Sequence, residues 1–140
     1  MLFRSNSPFI IHGRWNILSK NPYIISDGCH NLDGFRAIID ELKSLSFNKI
    51  FFIVGGVKDK NWNEIIKILP NSFEYILVQP RINRSLNVED LSEFFSREKL
   101  FYSVKKDINI AISYCKNKAQ YNDLIFIGGS LFLISDINEK

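Results

Sequence analysis

Cysteine is scarce in this sequence: Cys29 and Cys115 are the only two in 140 residues. They lack metal-type spacing, so neither a disulfide framework nor a zinc site is indicated. A reducing cytoplasm is the natural home for such a chain. No run approaches the ~18 to 20 apolar residues of a membrane-spanning helix, and the N-terminus lacks the basic-then-apolar pattern of a secretion signal. Neither membrane insertion nor export is expected. Charge of one sign is in short supply too, since 18 Lys and Arg against 15 Asp and Glu leave a formal net charge of +3. The basic residues are spread along the chain, so no nucleic-acid or membrane-surface footprint stands out. Internal repeats and low-complexity tracts are missing, and only Met1 to Ser7 read like a linker. Nor does any G-x-x-x-x-G-K-[ST] phosphate loop occur.

What is present is a large apolar complement. Hydrophobic residues make up 46% of the chain, with 12 Phe, 5 Tyr and 2 Trp. That composition buries well and predicts one compact domain that folds without staples.

Strand and helix signals alternate along the chain. Tyr23 to Ser26 form a short apolar run that empties into a polar loop. Phe35, Ile38, Ile39 and Leu42 then recur at helical spacing, with Arg36, Asp40, Glu41 and Lys43 on the other face. The run Ile50 to Val54 is a strand stopped by Gly55-Gly56, and Asn61 to Leu69 reads as a capped helix closed by Pro70. The pattern recurs as strand Tyr75 to Val78, helix Val88 to Phe95, a short strand near Leu100 to Tyr102 and helix Val104 to Lys116. Strand Leu124 to Ile127 and helix Leu131 to Asn138 complete it. Strands apolar on both faces need helices on both sides. The fold class is therefore α/β: a three-layer, doubly wound, Rossmann-like sheet of about six mostly parallel strands. Ahead of it, Ile10-Ile11 and Trp15 to Leu18 suggest an extra strand. Asn21-Pro22 would turn it antiparallel against Tyr23 to Ser26.

Four loops hold the candidate chemistry. In Asp27-Gly28-Cys29-His30-Asn31-Leu32-Asp33-Gly34 an acid and an imidazole share one strand-to-helix loop, and the following helix directs free N–H groups toward it. Gly55-Gly56-Val57-Lys58-Asp59-Lys60 and Gly128-Gly129-Ser130 follow two other strands. Gly13-Arg14-Trp15 sets an arginine, suited to phosphate contact, beside an aromatic ring. Taken singly, helix capping, a solvated turn or an exposed strand arginine explains each of them. Three of the four, however, fall at strand C-termini, which open on one edge of a parallel sheet.

In order, Gly13-Arg14-Trp15, Asp27 to Asn31 with Asp33-Gly34, Gly55 to Lys60 and Gly128-Gly129-Ser130-Leu131-Phe132-Leu133 resemble motifs of the folylpolyglutamate synthase C-terminal domain, within the Mur ligase superfamily. Pro80 to Leu86 is similar to that family's Pro followed by Arg-Ala-Leu. Cys29 stands where the family usually has alanine, and Leu32 where proline is common. The resemblance implies an ATP-dependent ligase that joins L-glutamate to dihydropteroate or a folate through an acyl phosphate. It implies that Arg14 and Asp27 hold ATP, and that His30, Lys58 and Ser130 line the place where glutamate arrives, with His30 also catalytic. The phosphate loop and the Mg2+ ligands would belong to an N-terminal ATPase domain. Residues 1–140 would then be one glutamate-ligase domain, with residues 1–9 a remnant of the interdomain linker, inactive in isolation. Two other readings stay open: a stand-alone nucleotide- or small-ligand-binding regulatory module, and a ligase domain from the peptidoglycan-building branch.

Overall fold

A computed structural model describes residues 15–137. Gly13, Arg14, the Ile10-Ile11 run, the expected linker remnant and Asn138 lie outside the described residues. Six strands form one sheet in the order β1-β2-β6-β3-β4-β5. They are β1 (Asn16–Lys20), β2 (Tyr23–Asp27), β3 (Lys49–Val54), β4 (Glu74–Val78), β5 (Tyr102–Lys106) and β6 (Asp123–Gly128). All neighbours run parallel except β1 and β2, an antiparallel pair joined through Asn21-Pro22 as the turn signal predicts.

Apart from Lys49 at the start of β3, the central strands are buried because both of their faces are covered. On one face lie α1 (Leu32–Lys43), α2 (Trp62–Ile68) and α3 (Val88–Arg97), whose Phe35, Ile65 and Leu91 pack over Phe52, Tyr75 and Phe126. Phe52 sits at the middle of this layer, 5.0 Å from the Phe126 ring and 5.7 Å from that of Tyr75. On the other face, α4 (Ile108–Lys118) and α5 (Leu131–Ser135) set Ile108, Ala111 and Leu133 against Phe51, Ile53, Ile76 and Ile127.

Three elements differ in their boundaries from the sequence reading. The strand expected near Leu100 to Tyr102 is β5, running to Lys106, and α4 starts at Ile108 rather than Val104. As an outer strand β5 is only half-buried, so it shows no continuous apolar run, and Val104 with Lys105 mimicked the opening of a helix. The N-cap of α4 is Asp107, whose carboxylate accepts from the Asn109 and Ile110 N–H groups. The last helix is also shorter than its apolar pattern suggested, with Asp136 as its C-cap.

Connections out of β2, β3 and β4 cross on the α1–α3 face, while the chain enters and leaves β6 on the α4–α5 face. Between the C-terminal ends of β6 and its neighbours the winding therefore reverses. In open α/β sheets, that crevice is where ligands bind.

Candidate functional site

Asp27 ends β2 and is buried. Its carboxylate accepts the Cys29 N–H at 2.8 Å through one oxygen and the Trp15 N–H at 2.8 Å through the other. It thereby folds the loop back over the strand end and ties down the start of the β1 hairpin. Asn31 caps α1 by accepting from the Gly34 N–H at 2.8 Å. Between these two anchors His30 is exposed.

The loops after β3 and β6 meet backbone to backbone. Gly129 has φ +122, and a Cβ there would collide with the Gly55 carbonyl, so only glycine fits. The Gly129 N–H in turn donates to the Cys29 carbonyl at 3.0 Å, which joins the third loop. Ser130 is buried at this junction, and its Oγ caps α5 by accepting the Phe132 N–H at 3.0 Å. A hydroxyl that accepts this bond keeps its own proton to donate.

A fourth loop, between β4 and α3, closes the arrangement. The Lys58 N–H donates to the Arg84 carbonyl at 2.9 Å and the Leu86 N–H to the Gly56 carbonyl at 2.8 Å. Val57 pairs with Ser85 in an antiparallel bridge. This strapping delivers Arg84 to the crevice, where its guanidinium lies 5.4 Å from the centre of the Phe132 ring.

Two clefts result, sharing His30 and Leu131 as a common wall. One, of about 440 Å³, runs along Asp27 to Asn31 and the first turn of α1. The other, of about 200 Å³, is lined by His30, Val57, Asp59, Lys60, Arg84, Ser130, Leu131 and Phe132. Of the residues singled out in the sequence, His30 and Ser130 are brought together in the smaller cleft and Asp27 lies in the larger. Lys58 is exposed, and the lysine on the smaller cleft's wall is Lys60, two residues along the same loop. Arg14 falls outside the described residues. Sequence reasoning missed Arg84 as a site residue. The Pro80 to Leu86 segment contained the signal, but only the pairing of two loops shows that it faces His30's cleft. Among the described residues, no three His, Cys, Asp or Glu side chains are grouped to hold a metal ion. Nor is any described helix long and apolar enough to cross a membrane.

The arrangement is an amphipathic crevice with cationic and donor groups converging from four loops, a setting for a small anionic ligand. A Bacillus subtilis (strain 168) dihydrofolate synthase/folylpolyglutamate synthase is 27% identical over 137 residues, covering 91% of this chain and 30% of the relative. The crystal structure of a bifunctional folylpolyglutamate synthase/dihydrofolate synthase from Yersinia pestis, complexed with AMPPNP and Mn ion, superposes with a TM-score of 0.80 at 21% identity. It covers 92% of this chain and 30% of that one. A further structure of such a bifunctional enzyme, with Mn, AMPPNP and L-glutamate bound, gives a TM-score of 0.78 at 21% identity, covering 92% and 31%. The chain thus spans about a third of the length of these three proteins. The model of the Mur ligase glutamate ligase domain matches residues 13–131, nearly the whole described region, and to that family this chain belongs.

Proposed function

We propose that this chain is the glutamate-accepting part of an ATP-dependent ligase that adds L-glutamate to dihydropteroate, to folates or to both, through an acyl phosphate. One observation carries the reading most directly: a crevice at the winding reversal where His30, Lys60, Arg84 and Ser130 surround one small cleft. Glutamate offers two carboxylates and an amine, and these donors and cations match it.

In this reading His30 touches the incoming amino acid where its amine meets the activated carboxylate, and Ser130 donates its hydroxyl proton to the same ligand. For the cation on the Gly55 to Lys60 loop the geometry favours Lys60 over Lys58. Asp27 and Arg14 serve ATP, which supplies the phosphoryl group that activates the acceptor carboxylate. The position of Asp27 at the C-terminal end of β2 and the larger cleft beside it suit that task. The phosphate loop and Mg2+ ligands belong to an N-terminal domain docked against this edge of the sheet, and the ligase works in the cytoplasm.

A hybrid tests this. The chain is joined to the first two thirds of the Bacillus subtilis relative, in place of the matching third. ADP release is then measured with dihydropteroate and with a reduced folate. Release that depends on L-glutamate and falls roughly a hundredfold in His30→Ala is the expected result. A folded hybrid that binds ATP yet shows no glutamate-dependent release with either acceptor would refute the proposal.

A further inference from the structure

Four arginines lie among the described residues, and three of them have carboxylate partners. Arg81 pairs with Asp107 at 2.7 Å, Arg36 with Asp33 at 3.9 Å and Arg97 with Glu93 at 3.9 Å. Arg84 is in no salt bridge among the described residues, although its position is constrained. Its backbone is strapped to the β3–α2 loop on both sides, and its guanidinium lies over the Phe132 ring. The backbone of Phe132 is held in turn, since its N–H is bonded to the Ser130 hydroxyl. A guanidinium lying against a ring keeps its edge N–H groups free, and their fork matches the two oxygens of a carboxylate.

Sheet order gives this cation its place relative to His30. His30 follows β2 and Arg84 precedes α3 after β4, and β6 and β3 lie between those strands. Three strand spacings of ~4.8 Å put the two loops roughly 14 Å apart, at opposite ends of the crevice. Their side chains reach inward to line the same cleft of about 200 Å³. An extended amino acid with its amine and α-carboxylate by His30 and Ser130 directs its side chain toward Arg84. Asp59 is the one acid on this wall, and it repels a carboxylate from the loop it shares with Lys60. That leaves the stacked guanidinium as the favoured anchor.

We infer that Arg84, held on the Phe132 ring, recognises the side-chain carboxylate of the incoming amino acid and makes the site selective for a dicarboxylic one. This rests on the glutamate reading above and adds to it the residue that discriminates.

The test uses the hybrid ligase and compares L-glutamate with L-glutamine, which keeps the shape and the α-carboxylate but not the second charge. Arg84→Ala should raise the KM for glutamate roughly ten- to a hundredfold, the effect of one lost charge-assisted interaction, with the KM for ATP within about twofold. The glutamate-over-glutamine ratio of kcat/KM should collapse by the same factor. Arg84→Lys should restore only part of it, because an ammonium lacks the planar fork, and Phe132→Leu should weaken glutamate binding without changing that for ATP. Arg97→Ala is the control and should change neither. If Arg84→Ala weakens both amino acids equally, the side-chain assignment is overturned. If it leaves the glutamate KM unchanged while His30→Ala abolishes ligation, the inference falls and the functional reading stands. If unsubstituted hybrid ligates no glutamate, both fall together. Should Arg84→Ala fail to fold, the ratio is read from Arg84→Gln and Arg84→Lys, where no drop in either overturns the inference.

Discussion

Asp27 shows how one side chain can serve the fold and the site at once. It is 3% exposed, and each of its oxygens accepts a backbone N–H. Asp27→Asn leaves a single acceptor oxygen and turns an amide NH2 toward an N–H donor. One buried donor is then unsatisfied, and stability should fall by about 1–3 kcal/mol. Urea unfolding of the chain measures this, and an unchanged midpoint would mean that the carboxylate is not anchoring the loop. In the hybrid ligase, any rise in the ATP requirement caused by this substitution has to be judged against that loss. Asp27 and His30 were legible in the sequence because they lie three residues apart in one strand-ending loop. Arg84 was not, because its relation to His30 depends on the bonds between Arg84, Leu86 and the Gly56 to Lys58 loop. No local pattern records such bonds between distant segments.

The same contrast holds for whole elements. The buried strands β2, β3, β4 and β6 were readable from apolar runs, α1 from its 3.6-residue periodicity and α2 from its capped start and closing proline. The outer strand β5 was not, because a strand with one exposed side has neither a continuous run nor a long enough alternation. Another inter-element feature lies at the N-terminal edge of the sheet. There the carboxylate of Glu74 on β4 is held by Lys49 of β3 at 3.1 Å and Lys118 of α4 at 3.0 Å. Burial alone would push this carboxyl's pKa up, but the hydrogen bonds and charges of the two lysines outweigh it and leave the pKa lowered. A lowered carboxylate pKa means stability that is present above the unfolded value of ~4.3 and is lost as pH falls through the folded value. Urea midpoints of the chain should therefore decline below about pH 4, and Glu74→Gln should be less stable at pH 7 and lose less on acidification. Parallel pH curves for the two proteins would exclude Glu74 as a source of the acid sensitivity.

At the scale of the molecule, folding and chemistry separate. Two apolar layers close both faces of one sheet, and the described core includes six side chains larger than leucine that are less than 2% exposed: Tyr75, Phe35, Phe51, Phe52, Phe95 and Phe126. Such a core predicts one cooperative unfolding transition for the chain on its own. The crevice is built differently: its donors converge on one open edge of the sheet, and nothing among the described residues covers them from the far side. Wrapping a triphosphate takes a glycine-rich run of backbone N–H groups with a lysine, and these 140 residues contain no such run. Phosphoryl transfer depends on positioning and charge stabilisation around the transferring group, which groups on a single side of it cannot provide. The purified chain, given ATP, Mg2+, L-glutamate and dihydropteroate, is thus expected to unfold in urea as a single transition and to release no phosphate above the rate without protein. Steady phosphate release that is lost in His30→Ala would show that the crevice is a complete active site, and the need for a phosphate-loop domain would have to be abandoned.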